Sequence, residues 1–164
     1  MMITIKEGDI TREDVDAVVD AANRGLRGGG GVDGAIHRAA GPSVMDECRK
    51  IGRCPTGSAV ITGGGRLKAK NIIHAVGPVW RGGNDGEPEL LRGCYEKSLM
   101  LAKKHGLRSI AFPAISTGIY GYPVEEAAKI ALKAGEKFEH DFDEIRFICF
   151  SKKDFDVYKK IRGG

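Results

Sequence analysis

The sequence predicts an α/β sandwich, a largely parallel sheet covered on both faces by helices, and three observations predict it. Short apolar runs alternate along the chain with longer amphipathic segments. Two of the short runs end in glycine-bearing turns that lead straight into helix-like segments. The 164 residues, with 41% hydrophobic and 29% charged content, suit one domain that buries a sizeable core without metals or disulfides.

The elements follow in order. Residues 3–5 read as the first strand, and 17–21, around Val18-Val19, as the second. Four consecutive glycines, Gly28 to Gly31, stand before a first helix over 32–40, and Gly41-Pro42 separates it from a second over 43–51. Strands over 59–62 and 71–76 come next, then a long amphipathic helix over 87–105. A strand over 109–113, a helix over 123–139, a strand over 145–150 and a helix over 152–161 complete the alternation. Pro123 suits the first helical position, with Glu125 and Glu126 in the first turn, where the helix dipole favours acids. Gly63-Gly64-Gly65 and the stretch 81–86 read as loops, and no repeat, long linker or low-complexity segment interrupts the chain.

Composition excludes several function classes. No apolar run approaches a membrane span and the first residues lack signal-peptide architecture, so the expected location is cytoplasmic. Cys48, Cys54, Cys94 and Cys149 form no CxxC pair and no zinc spacing. They read as buried thiols, a Cys48–Cys54 disulfide being the lesser alternative. The chain has no glutamine and three asparagines beside plentiful Lys, Arg and Glu, a weak thermophile signature. A net charge of +4 is scattered over solvated helix faces with no aromatic-interleaved basic stripe, which ranks nucleic-acid binding last.

The chemistry concentrates at the glycines. A strand, a Cβ-free loop and a helix N-terminus together form an anion cradle, because free N–H groups and the positive end of the dipole face one point. Gly29-x-Gly31-x-x-Gly34 formally matches the dinucleotide fingerprint, but the next strand begins near Ala59, too late for its acidic residue, so a nicotinamide-dependent dehydrogenase does not fit. The stretch Ser116-Thr117-Gly118-Ile119-Tyr120-Gly121 repeats the strand–turn–helix arrangement, and two such loops at strand ends can grip one pyrophosphate from both sides. Asp33 and His37, four apart, share a helix face. Asp33 suits a water-activating base or a ribose acceptor, or alternatively a simple helix cap with a packed His37. Asn23 ends the second strand, where its amide serves either a sugar hydroxyl or the turn itself. Asp9 either caps a helix or accepts from an exocyclic amine. His74 reads as structural, and His105 and His140 as helix-end surface residues.

Gly8-Asp9-Ile10-Thr11, Val19-Asp20-Ala21-Ala22-Asn23, Gly28 to His37, Arg38-Ala39-Ala40-Gly41, Thr56 to Thr62, Ile73 to Trp80 and Ser116 to Gly121 together resemble the macrodomain family, closest to its MacroD-type branch of ADP-ribose hydrolases. The resemblance runs in order over nearly the whole chain. It implies a three-layer α/β/α fold with a mixed, largely parallel sheet and an ADP-ribose cleft. Asp9 would then receive the adenine amine, with Ile10 beside the ring and Phe150 against it. Gly30, Gly31 and Val32 on one side, and Ser116, Thr117, Gly118, Ile119 and Tyr120 on the other, would wrap the pyrophosphate and distal ribose. Asn23 and Asp33 would orient that ribose and activate water, with His37 supporting Asp33. The implied activity is removal of ADP-ribose from acidic protein side chains, or of acetate from O-acetyl-ADP-ribose, with a reader that binds ADP-ribose without turnover as the alternative. The ligands are ADP-ribose and its esters, including ADP-ribosylated proteins, with no membrane, cofactor or metal ligand set. One departure stands out: the family commonly has Asn where this chain has Asp20, a residue on the other side of the strand whose charge bears on the acidity of the cleft. Arg24 and Arg27 stand near enough in sequence to offset it.

Overall fold

A computed structural model describes residues 2–163. Six strands form one sheet: β1 (Ile3–Glu7), β2 (Ala17–Ala21), β3 (Ala59–Gly63), β4 (Asn71–Ala75), β5 (Ser109–Phe112) and β6 (Glu144–Cys149). Their spatial order is β1-β6-β5-β2-β4-β3, and every pairing is parallel except β3 with β4. Residues 64–70 join β3 to β4, too short a connection for a crossover helix, so the chain turns back as a hairpin.

The helices are α1 (Gly31–Ala40), α2 (Pro42–Ile51), α3 (Glu87–Lys104), α4 (Val124–Phe138) and α5 (Lys152–Gly163), with 3-10 turns at Ile10–Arg12 and Glu139–Asp141. They divide between the faces of the sheet. Ile36, Ala40, Val44 and Cys48 of α1 and α2 pack on Val18, Ile72, Ala111 and Ile148. Leu91, Tyr95, Leu99, Ala128, Leu132 and Tyr158 of α3, α4 and α5 pack on Val19, Ile73, Ile110, Phe112 and Phe147. Consecutive strand residues therefore bury toward opposite layers, which is why the strands carry apolar side chains on both faces. Pro123 serves as the N-cap of α4 and not as its first residue: its ψ of 128° is extended, while its carbonyl accepts from Ala127 N. All four cysteines are buried free thiols, so no Cys48–Cys54 disulfide forms. Among the described residues no helix is long and apolar enough to cross a membrane.

Two features of the topology position the site. The connection after β2 runs to α1 and on toward β4, while the connection after β5 runs to α4 and on toward β6, in the opposite direction across the sheet. The β2–β5 ladder is also short: Ala17 pairs with Ile110 and Val18 with Ala111, whereas β1 and β6 register over five pairs. Beyond Val18 the carboxyl ends of β2 and β5 leave the crevice that parallel α/β sheets use for ligands.

Candidate functional site

A cavity of about 710 Å³ occupies that crevice, within the usual range for a small-molecule site. It is lined by the ends of β1, β2, β5 and β6, by the start of α1 and by the 116–120 loop. Asp9, Ile10, Asn23, Gly30, Gly31, Val32 and Asp33 all line it, as do Ser116, Thr117, Gly118, Ile119, Tyr120 and Phe150. Residues from five separate stretches of the chain thus meet at one opening. His37 does not reach the cavity; it lies behind Asp33.

At one end Asp9 caps the Ile10–Arg12 turn. Its Oδ1 accepts from the Thr11 hydroxyl at 2.7 Å and the Thr11 N–H at 3.0 Å. The hydroxyl first, then the N–H, hold the carboxyl below its usual range, so it is an ionised acceptor at neutral pH. Ile10 is buried beside it, whereas Phe150, just past the end of the adjacent β6, lines the cavity and stands 86% exposed.

The two loops between are shaped by glycine and by one strained serine. A Cβ on Gly30 or Gly31 would meet nothing within 4 Å, so both backbones face open space, and Gly31 holds a φ of +58°. Gly34 instead lies tight against the Gly29 carbonyl, with which any Cβ would collide. Across the cavity Ser116 adopts φ +69°, a left-handed conformation uncommon for a residue with a side chain. The loop is pinned by Tyr122 N–H on Ser116 O (2.9 Å) and Gly121 N–H on Gly118 O (3.0 Å). The Ser116 hydroxyl is buried without a protein partner.

At the far end Asn23 turns both sides of its amide to the chain. Nδ2 donates to Gly28 O at 2.9 Å and Oδ1 accepts from Arg27 N at 3.0 Å. It closes the 23–28 loop, the turn chemistry its position allowed, while still lining the cavity. Asp33 is 6% exposed and opens into the cavity; His37 Nε2 comes to 3.3 Å from its Oδ1. Burial pushes the His37 imidazole down.

Beneath Asp33 lies a layer that the sequence did not assign to the site, and Asp20, expected on the other side of its strand, belongs to it because it shares the α1-facing side with Val18. Asp20, fully buried, has Oδ2 3.0 Å from His74 Nδ1 and 3.8 Å from His37 Nε2. His74 Nε2 is 2.9 Å from Thr62 Oγ1 and 3.9 Å from Cys48 Sγ. Burial drives the His74 imidazole down to about 4, so it is neutral at pH 7, donating from Nδ1 to Asp20 and accepting at Nε2. Burial likewise raises both Asp20 and Asp33, and for Asp33 the neighbouring Asp20 raises it further. Asp33, Asp20 and His37, or His37, Cys48 and His74, lie close enough to be compared with a metal centre. The second grouping does not fit one: both His74 nitrogens are engaged, and burial lifts the Cys48 thiol to about 11, keeping it protonated. Arg38 and Asp154 also line the cavity mouth, positions not singled out from the sequence.

A family model for the Macro domain matches residues 19–131, a span containing the end of β2, the glycine loop and the 116–120 loop. The chain belongs to the macrodomain family. Over almost its whole length this macrodomain is 56% identical to a macro domain-containing protein of Chlorobaculum tepidum, covering 98% of this chain and 95% of that protein. It is 49% identical to a protein of Cronobacter sakazakii named O-acetyl-ADP-ribose deacetylase, over 98% of this chain and 93% of that one. Among solved structures, a glycine-to-valine variant of the Oceanobacillus iheyensis macrodomain with ADPR superposes with a TM-score of 0.92 at 43% identity, covering 97% of this chain and 90% of that one. A Trypanosoma brucei macrodomain in complex with ADP-ribose superposes with a TM-score of 0.90 at 44% identity, covering 98% and 69%. The three-layer fold expected from the sequence is the fold these structures share.

Proposed function

We propose that this macrodomain binds ADP-ribose and hydrolyses esters on its distal ribose, releasing acetate from O-acetyl-ADP-ribose or an acidic protein side chain from its conjugate. The observation that carries the reading is one continuous cavity with an ionised acceptor, Asp9, at one end and the buried carboxyl of Asp33 at the other. Between them, the α1 N-terminus and the 116–120 loop offer backbone N–H groups to a diphosphate. In this reading Asp9 accepts from the adenine amine, and Ile10 and Phe150 enclose the ring. Gly30, Gly31 and Val32 face Ser116 to Tyr120 across the phosphates. The kinship with a named O-acetyl-ADP-ribose deacetylase and with ADP-ribose-bound macrodomains supports it.

The reaction follows from those positions. Holding the diphosphate from both sides fixes the ester at the Asp33 end of the cavity and converts attack by water into a step within the complex. As a carboxylate, Asp33 takes a proton from the attacking water; the water oxygen bonds to the acyl carbon, the bond from the acyl carbon to the ribose oxygen breaks, and Asp33 returns the proton to that oxygen, leaving acid and ADP-ribose. Asn23 keeps the 23–28 loop closed around the distal ribose.

One observation favours the second reading, a reader that binds without turnover: the Asn23 amide already has a chain partner on each side, Gly28 O and Arg27 N. Calorimetric titration with ADP-ribose against NAD and AMP tests the cleft, and turnover of O-acetyl-ADP-ribose separates the readings. The hydrolase reading requires Asp33→Ala to retain ADP-ribose affinity within about threefold and to lose activity by about 10²-fold or more. A wild-type protein that binds and turns over neither ester class is the reader.

A further inference from the structure

Asp20 is a fully buried carboxyl in an interior strand of the sheet, and its neighbours give it a chemical consequence. Asp20 lies in register with His74 of β4 and sits beneath Asp33, with carboxylate oxygens of the two and a ring nitrogen of His37 all within 4.8 Å of one another. In each carboxyl group, Oδ1 is buried with no N–H or O–H of the protein donating to it; His37 Nε2 approaches Asp33 Oδ1 to 3.3 Å without the alignment of a hydrogen bond. Two facing carboxylates out of water repel strongly, and a single proton between them removes the repulsion.

The groups around the pair favour keeping that proton. From α1 comes His37 and from β4 His74, both biased to the neutral form by burial. From α2 come the Cys48 thiol and Glu47, whose Oε1 accepts from Gly63 N; β3 contributes only the Thr62 hydroxyl. Among the described residues neither carboxylate pairs with a lysine or arginine. Of these groups only Asp33 lines the cavity; Asp20, His37 and His74 lie behind it.

We propose that Asp20 is a positioning residue that shares one proton with Asp33, and so sets the pH at which Asp33 becomes the carboxylate that acts on water. The catalytic part rests on the hydrolase reading; the shared proton does not. Asp20→Asn is the discriminating variant, because its amide keeps an acceptor for His74 Nδ1 and supplies a fixed N–H donor toward Asp33.

The first measurement is kcat for O-acetyl-ADP-ribose against pH. The expected result is a wild-type acid limb above the ordinary carboxylate range that moves acidward by about one pH unit or more in Asp20→Asn, a gain of about tenfold below the wild-type limb. A merely structural residue would change the height of the profile and leave the limb where it is, which overturns the proposal. The second is a carbon-13 NMR titration of the side-chain carboxyls, assigned with Asp20→Asn and Asp33→Asn. One proton shared by the pair and lost only above about pH 6 supports the proposal; two carboxyls titrating independently below about pH 5 overturn it. This readout stands even for a protein that binds without turnover, so failure of the shared proton and failure of the hydrolase reading are told apart. A stoichiometric divalent metal that copurifies with the wild type and is lost in Asp20→Asn also overturns it.

Discussion

A methyl group at Gly77 would collide with the Ser116 hydroxyl and crowd Cγ2 of Ile115, which it would meet at 2.6 Å. Ser116 already holds a left-handed backbone, so it has little freedom to give way. Gly77→Ala is therefore expected to push the 116–120 loop aside and weaken ADP-ribose binding by about tenfold, roughly 1.4 kcal/mol, with the fold intact by circular dichroism. Calorimetry checks it, and unchanged affinity would mean that the loop does not grip the ligand. Residues of this kind divide by how far the chain reveals them. The glycines and Asp33 were legible because each stands in a local pattern of loop and helix start. Asn23 was legible as a position, though which of its two roles it takes depends on where Gly28 O and Arg27 N fall. Asp20 and His74 were not paired, because they become neighbours only through the β2–β4 register, 54 residues apart. A signal did exist: each is a polar residue inside an otherwise apolar strand, and such residues need a partner.

The strands and α-helices were legible to within about two residues, several of them because a glycine or proline that the backbone requires stands at the boundary, though β2 and β6 have neither. Gly41, at φ +87°, both ends α1 and precedes α2, and Pro88 sits in the first turn of α3. The reversed direction of β3 was readable in the short 64–70 connection, and the strand pattern alone did not carry it. The segment before α3 holds a device that no pattern exposes. The Glu87 carboxylate accepts from the N–H groups of Arg81 (2.7 Å), Gly83 (3.0 Å) and Asp85 (2.7 Å), folding that loop around itself. Burial works to raise its pKa, but these N–H groups outweigh it and bring it down to about 2. A carboxylate lowered by folding stabilises fully above its unfolded value of 4.5 and loses that stabilisation progressively as pH falls toward about 2, while in the folded protein it stays ionised, and the loop closed, throughout the mildly acidic range. Trp80 N–H bonds Tyr120 O at 2.8 Å and its ring packs on Tyr122, which ties this loop to the ligand loop. Glu87→Gln is expected to speed amide exchange over 79–86 by about tenfold or more and to loosen ADP-ribose binding severalfold. Unchanged exchange in those amides would show that Glu87 does not organise the loop.

For the whole molecule, the buried layer under the cleft makes stability depend on pH in two opposing ways. The unfolded His74 takes a proton near 6.5, but the folded one only near 4, so stability falls as pH drops through that window. The Asp20–Asp33 pair works in the other direction. Its carboxyls are raised by burial, so the unfolded chain sheds their protons first and the fold is penalised increasingly as pH rises above about 4. Asp20→Asn removes Asp20's share of the second effect and its repulsion of Asp33, and keeps the first. Its melting midpoint should exceed the wild type's at pH 8, by about 2–4 °C for each kcal/mol relieved, with the advantage vanishing near pH 4. Scanning calorimetry at the two pH values checks this, and an equal or lower midpoint at pH 8 would deny the buried repulsion. The short β2–β5 ladder carries a mechanical consequence for the same molecule. The sheet is two panels hinged along its briefest seam, and the loops that would hold a diphosphate spring from opposite panels, at the edge where that seam has already parted. A bound nucleotide is then a staple across the joint, so the amides of Ala17, Val18, Ile110 and Ala111, none of which lines the cavity, should be the ones whose exchange slows most when the cleft is filled.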